Sequence, residues 1–381
     1  MDISKTIKIG RGQFQTSPFF EKFANDKIVM GVYAGRSYPI TWGQNTLETY
    51  RALRTESVLF DVPERPVEIC GPDALKLLEK VLARSISNLK IGKARYAIAC
   101  LENGGILMDG VVMHLEKNRY WYVKADGPFE TWLLANSGGF DVEISDPNSR
   151  VLQIQGPASI DIMRDASHGK INEEMGYFKA GYFEIGGQLL YVSRTGFTNE
   201  LGFEIYTNGS ETDHVALWNH LIKVGEPYGL EFSSTRAMTI RRIEGGILGN
   251  TTDMDTTMNP YEAGLGAFVD MDKDEFVGRD ALVGLDTRAL LFGLTCEGAT
   301  PTSNSEIIDG DSVVGQITAG VPSPTLGMGI GYVRFHYQDE WVGRKLILRL
   351  PSGECHSCAI VDLPFFDKER HIVRGLDRKI P

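Results

Sequence analysis

The period of the apolar positions changes several times along the chain, and those changes divide it. Residues 45–59 place Leu47, Tyr50, Leu53 and Arg54 at helical spacing and predict an amphipathic helix. Alternation over 67–70 predicts a strand, Gly71-Pro72-Asp73 a turn and cap, and Leu75, Leu78, Val81 and Leu82 one face of a helix. Alternating runs at 111–115 and 120–124, joined across Lys117-Asn118, predict a hairpin. Gln153-Ile154-Gln155-Gly156-Pro157 closes a strand and opens a short helix. Three more strands are expected at 182–185, 189–193 and 202–206, and helices at 212–224 and 235–243. The stretch up to residue 38 reads as loop, broken by Gly12, Gly31 and Gly35. Past Leu290, short runs (291–296, 313–319, 331–335, 345–350, 359–363) alternate with Gly, Pro and Ser turns, the pattern of a small β-barrel or sandwich. The expected class is α+β, with an all-β C-terminal domain.

Composition narrows the function. With 381 residues the chain is long enough for two or three domains, and 42% hydrophobic content supports a sizeable core. The net charge of -11, without a basic cluster, weighs against a nucleic-acid partner. No run approaches the ~20 apolar residues that span a bilayer, so no membrane partner is expected. The first twenty residues lack the apolar centre of a secretory leader. Five scattered cysteines (Cys70, Cys100, Cys296, Cys355, Cys358) fit a reducing, cytoplasmic setting better than a disulfide framework. No metal site is expected. Asp270, Asp272 and Asp274 begin like a calcium loop, but Glu275 and Ala281 stand where Gly and Glu are needed. Cys355 and Cys358 lie three apart on an expected strand and so face opposite ways. Gly327, Gly329 and Gly331 lack the strand–loop–helix frame of a dinucleotide site.

Four segments carry candidate chemistry. In Gly104-Gly105-Ile106-Leu107-Met108-Asp109-Gly110 the carboxylate sits among apolar residues, where burial perturbs a pKa; a strand-end Asp bonded to backbone is the competing reading. Strand alternation in Gly202-Phe203-Glu204-Ile205-Tyr206 puts Glu204 and Tyr206 on one face. A glutamate there can accept from a ring N–H and an exocyclic amine, or it is simply an exposed strand residue. Arg241-Arg242-Ile243-Glu244-Gly245-Gly246, followed by Asn259-Pro260-Tyr261-Glu262, reads equally as a charged wall or as a paired helix end. The segment 315–327, with Pro322-Ser323-Pro324-Thr325, reads alone as a strand ending in a turn.

Taken in order, these segments resemble the glycine-cleavage T-protein (aminomethyltransferase) superfamily over roughly the whole chain. Further matching pieces are Leu59-Phe60-Asp61-Val62, Gly92-Lys93-Ala94-Arg95-Tyr96, Leu152 to Pro157 and Phe276 to Leu282. The resemblance implies a three-subdomain cloverleaf around a central funnel that holds tetrahydrofolate. It implies Asp109 as the catalytic aspartate and Glu204 as the grip on the pterin, with Tyr96, Phe178 and Arg242 lining the funnel. The implied division is 1–51 plus 148–285 as a folate-binding body, 52–147 as an inserted subdomain, and 286–381 as the barrel.

The departures bear on the donor. The family carries two adjacent aspartates where this chain has Met108-Asp109, and an arginine where it has Met238. Arg-Ile-Glu-Gly-Gly, Trp121 to Asp126 and Pro63-Glu64-Arg65-Pro66 look like dimethylsulfoniopropionate demethylase. Ile106 to Gly110 and Asn259 to Glu262 look like folate-dependent O-demethylases of methoxyaromatic acids. The Cys-containing motif of the non-catalytic folate-binding relatives is missing. The leading expectation is therefore methyl transfer to N5 of tetrahydrofolate from a small carboxylate-bearing donor. Aminomethyl transfer and folate binding without turnover are the alternatives. Tyr33, a candidate acid on resemblance, and Trp121 would receive the donor's body, and Lys124 or Arg36 its carboxylate. A homo-oligomer is admitted as a further partner.

Overall fold

The computed structural model describes residues 14–124 and 126–377; Gly12 lies outside the described residues. The body contains β1 (Val29–Tyr33), β2 (Arg36–Thr41), β3 (Val58–Val62), β4 (Arg65–Cys70), β5 (Lys93–Cys100), β6 (Ile106–Glu116), β7 (Arg119–Lys124), β8 (Glu143–Ser145), β9 (Val151–Gln155), β10 (Ala180–Ile185), β11 (Gln188–Ser193), β12 (Gly202–Tyr206) and β13 (Glu231–Phe232). The C-terminal domain contains β14 (Leu291–Cys296), β15 (Glu306–Asp309), β16 (Ser312–Ser323), β17 (Met328–Phe335), β18 (Lys345–Arg349) and β19 (Cys355–Val361). They form a β1–β2 hairpin, a six-stranded sheet in the order β10-β11-β12-β9-β3-β13, a five-stranded sheet in the order β5-β6-β7-β4-β8, and a closed barrel, β14-β17-β16-β15-β18-β19.

Strand alternation explains the layering. One face of the six-stranded sheet offers Leu59, Leu152, Ile154, Val192, Phe203 and Ile205, which pack under the helices Ser159–Ala166 and His214–Gly225. The opposite face offers Phe60, Val62, Tyr191 and Tyr206, which meet Met113, Trp121 and Val123 of the five-stranded sheet. The outer face of that second sheet packs Val67, Ala97, Met108, Val112 and Tyr122 against the helices Ala74–Val81 and Phe129–Asn136. The two sheets therefore lie face to face with helices outside, and polar residues on the inner faces are sealed between them.

Two expectations change. The helix expected over 45–59 runs only over Thr46–Thr55, N-capped by Asn45, whose side chain accepts from the Leu47 amide. Val58 and Leu59 instead enter β3, where they are fully buried. Because β3 pairs antiparallel with β9, residues 58–62 belong to the six-stranded sheet. The sheets thus divide at Pro63-Glu64 rather than at residue 52. Strand β15 lacked enough alternation to be read beforehand, yet it completes the barrel between β16 and β18. Cys355 is exposed and Cys358 buried, on opposite faces of β19 as expected.

Candidate active site

Asp109 lies inside β6, registered against Ile98 of β5. The turn before it is tight: a Cβ on Gly105 would stand 2.2 Å from the Thr256 carbonyl oxygen, and Ile106 N–H donates to the Met258 carbonyl. The loop that follows the helix Thr235–Glu244 is thereby laid against the start of β6. The Tyr96 hydroxyl donates to Asp109 Oδ2 at 3.0 Å, and the Tyr96 ring is held edge-on by Phe268 at 4.8 Å. Burial pushes the Asp109 carboxyl up to about 6, tempered by the Tyr96 hydroxyl and the Asn250 side chain. Its second oxygen, Oδ1, is sealed, and although the Asn250 side chain stands close enough to act on the carboxyl, neither Oδ1 nor Asn250 Nδ2 completes a hydrogen bond. A buried acceptor left open at the head of two apolar strands fits a ligand that brings a donor or a positive charge.

Glu204 stands on β12, flanked by Ser193 of β11 and Gln153 of β9 in direct register. Gln153 Nε2 donates to Oε1 at 2.8 Å, while the Tyr206 hydroxyl donates to Oε2 at 2.7 Å. Thr195 and Ser193 also reach Oε2. Burial raises the Glu204 pKa, and these four donors oppose the rise. A carboxylate offers about four acceptor positions. Oε2 is crowded with protein donors, so Oε1 is the oxygen with room for an incoming N–H. Glu204 is buried, not the exposed strand residue of the competing reading.

The other candidates divide. Tyr33, at the tip of the β1–β2 hairpin, comes to the site. Burial pushes its pKa up to about 12, its hydroxyl faces the Asp126 backbone, and Glu64 and Asp109 act on it electrostatically. Phe178 holds the junction of the sheets: its N–H donates to Arg194 O, and its carbonyl accepts from Ala94 N. Its φ of 62° is strained for a bulky residue, a conformation that costs ~1–3 kcal/mol and gathers at functional sites.

Arg242 is buried, and its charge is matched by Asp253 at 2.6 Å. Asp253 also accepts from Gly249 N and from Thr318 of β16, so Arg242 fixes the loop that carries Asn250. The neighbouring Arg241 and Arg54 share Glu200, and Glu244 accepts from Tyr50 and Ser323. The Arg241-Arg242 and Pro322-to-Thr325 segments therefore clamp the barrel onto the body.

Three further candidates are engaged by protein partners of their own. Trp121 is buried with its indole N–H on Glu68 at 2.7 Å and packs on Tyr191 and Tyr206. It pairs with Met113, three steps along the ladder from Gly110, roughly 10 Å at ~3.3 Å per residue. It borders a separate groove of about 490 Å³, lined also by Arg119, Tyr182 and Leu189, in which Asp109 and Glu204 have no part. Lys124 is registered with Gly110 and so leaves the sheet on the face opposite Asp109, where Nζ donates to Gly127 O. Arg36 is 1% exposed and gives Nη1 to the carbonyls of Glu64 and Ser149. Neither cation is presented to a substrate carboxylate beside Asp109.

Glu64, Gln153 and Asn250 were missed. Gln153 and Gln155 are the polar alternants of an otherwise apolar strand, a signal available in the sequence. Glu64 and Asn250 lie off the strands, where periodicity is silent. A chain of neighbours, Asp109, Tyr33, Glu64, Gln153 and Glu204, now links the facing sheets. Among the described residues, no group of His, Cys, Asp or Glu could hold a metal ion, and no helix is long and apolar enough to cross a membrane.

Two facing sheets with helices outside and an appended closed barrel are the architecture of the T-protein class. Residues 20–273 match the GCVT N-terminal domain, and residues 290–367 the glycine cleavage T-protein C-terminal barrel domain. The aminomethyltransferase of Streptomyces coelicolor is 31% identical over 352 residues, covering 89% of this chain and 94% of that protein. That of Alkaliphilus oremlandii is 32% identical over 330 residues, covering 84% and 88%. The crystal structure of glycine cleavage system aminomethyltransferase T from Bartonella henselae superposes with a TM-score of 0.84 at 24% identity, covering 93% of this chain and 99% of that one. The chain belongs to the glycine-cleavage T-protein family and is an enzyme of the aminomethyltransferase-like type.

Proposed function

We propose that the protein transfers a one-carbon unit to tetrahydrofolate, and that its donor is an aminomethyl group presented by a lipoyl carrier. The observation that carries the reading is Asp109, whose Oδ1 is sealed and unpartnered while Tyr96 holds Oδ2. Likeness over most of the chain to proteins named aminomethyltransferase supports the choice of donor.

Bound tetrahydrofolate would supply two nucleophiles, N5 and N10: the donor carbon would exchange its bonds to nitrogen and sulfur for bonds to these two atoms, and ammonia and the lipoyl thiol would leave with the two N–H protons. Glu204 Oε1 takes an N–H of the ring, and the donors on Oε2 fix the carboxylate's plane. Asp109, ionised above about pH 6, stabilises positive charge arising beside it. Tyr96 fixes the direction of that charge. Aligned reactants gain ~7–11 kcal/mol, so positioning supplies most of the acceleration.

A second reading, removal of a methyl group from a small donor, is favoured by one observation. Met238 stands where the family's arginine is expected, 6% exposed and packed with Tyr50 and Ile240. Product analysis separates the two. 5,10-Methylenetetrahydrofolate formed from an aminomethylated lipoyl carrier supports the first. 5-Methyltetrahydrofolate formed only from dimethylsulfoniopropionate or a methoxybenzoate replaces it with the second, and no product from any of these donors sinks both.

A further inference from the structure

The link between the two sheets carries a carboxyl group that the reaction above leaves unused. Glu64 sits on the short step between β3 and β4, with its backbone carbonyl tied down by Arg36 Nη1 at 2.8 Å. Its side chain turns inward. Oε1 lies 3.4 Å from Gln153 Nε2, the same amide nitrogen that donates to Glu204 Oε1 at 2.8 Å. Glu64 Oε2 is sealed and has no protein partner. One amide therefore holds two carboxyl groups side by side, and each keeps an oxygen with capacity for something else.

Two buried carboxyls in one place do not both ionise readily. Four protein donors favour the charged form of Glu204 against the rise that burial gives its pKa, whereas Glu64 has one donor, at long range. Around Glu64 stand Glu204 and Asp61, which oppose its ionisation, and Arg150, which favours it but is already paired with Asp61. Arg36 turns its guanidinium to backbone carbonyls, and the Tyr33 hydroxyl is neutral. Burial and the Glu204 charge push Glu64 up to about 8, so near neutral pH it carries a proton.

A 2-amino-4-oxo pyrimidine edge, as in a pterin, presents adjacent N–H donors flanked on both sides by acceptor atoms. Glu204 answers a donor; an acceptor next to it needs a donor from the protein, and an ionised carboxylate there would repel it. We propose that Glu64 is a specificity-determining residue of this site, a neutral carboxylic acid that donates its hydroxyl proton to the ring acceptor neighbouring the N–H taken by Glu204. The inference rests on the reading of Glu204 as the pterin station and extends it to a second contact.

The test measures calorimetric affinity for 5-methyltetrahydrofolate from pH 7 to 9.5 in the wild type, Glu64→Gln, Glu64→Ala and Glu204→Gln, each first checked for folding by circular dichroism. Wild-type affinity falls as pH rises through about 8, by roughly thirty-fold at pH 9.5 for one linked proton. Glu64→Gln keeps an N–H donor, binds within about three-fold of wild type at pH 7 and is flat above it, since the amide cannot titrate. Glu64→Ala is about ten-fold weaker at pH 7 and also flat. Wild-type affinity that does not change between pH 7 and 9.5, or a wild-type pH response retained in Glu64→Gln, overturns the proposal. Glu204→Gln isolates the underlying reading: if it binds as wild type, the pterin station itself is misplaced. If it weakens binding while the Glu64 variants match wild type, only the Glu64 inference fails.

Discussion

Replacing Asp109 by Asn should make the protein more stable and less active at once, and the balance should turn with pH. Burial lifts the carboxyl from 3.8 to about 6. A group whose folded pKa is raised contributes its stability below the unfolded value, and that contribution is lost as pH rises through the folded value. The wild type therefore gives up stability between about pH 4 and 6, and the deficit persists at pH 8. Two units at 1.36 kcal/mol each set an upper bound of about 3 kcal/mol. The side chain is partly accessible by its surface, and Asn250 must reorient its amide against a new one, so about 1–2 kcal/mol is the expected gain. Asn can still accept from the Tyr96 hydroxyl. Urea unfolding at pH 5 and pH 8 reads the effect: Asp109→Asn should match wild type more closely at pH 5 and exceed it at pH 8. Turnover with the true donor should fall by ~10²-fold or more with little change in folate affinity, because the charge acts chiefly in the transition state. Equal destabilisation at both pH values, or full turnover in the variant, would refute the reasoning.

Glu204→Gln should weaken folate binding by ~1.5–3 kcal/mol, the worth of a charge-assisted contact, read as a rise in Kd by calorimetry at pH 7. Glu200→Gln leaves Arg54 and Arg241 sharing a neutral partner in a sealed site; the midpoint of urea unfolding should drop by the equivalent of ~3–5 kcal/mol, with little change in folate affinity under native conditions. Thr318→Val removes the barrel's hydrogen bond to Asp253, loosening the loop that presents Asn250. The acid limb of the pH–rate profile should move to higher pH while Kd for folate holds, and an unmoved limb would show that the barrel has no hold on Asp109.

The readable part of the site was the part carried on strands. The roles expected of Asp109 and Glu204 rest on the resemblance, whereas alternation fixes the face of a strand residue, and Glu204 does share its face with Tyr206. The helices and the barrel were largely visible for the same reason. The errors fell where register or termination decides. Trp121 and Lys124 are neighbours of the site in sequence, but pairing with β6 sends one down the ladder and the other to the far face. The helix expected over 45–59 stopped early because Val58 and Leu59 are claimed by pairing with β9, a long-range demand that overrides local periodicity. Arg36 looked like a cation for a substrate carboxylate, but the backbone carbonyls of Glu64 and Ser149, packed beneath the hairpin, take its donors.

The position of Glu64 shows why a full-length likeness leaves the chemistry of the site only partly specified. The two sheets could be joined by any short extended link, and Pro63 and Pro66 supply the rigidity for one. What the link places inside the site is a separate matter from how it joins the sheets. Here it delivers an acid to the same Gln153 amide nitrogen that holds Glu204, with its outer oxygen sealed by the surrounding packing. The barrel acts in the same indirect way. The ties from Ser323 to Glu244 and from Thr318 to Asp253 hold a helix and a loop whose far end carries Asn250 to Asp109. On the proposed reading of Glu64, selectivity resides in connecting segments set by the scaffold, and substitutions there should alter proton positions at the site while leaving the strands and their registers intact.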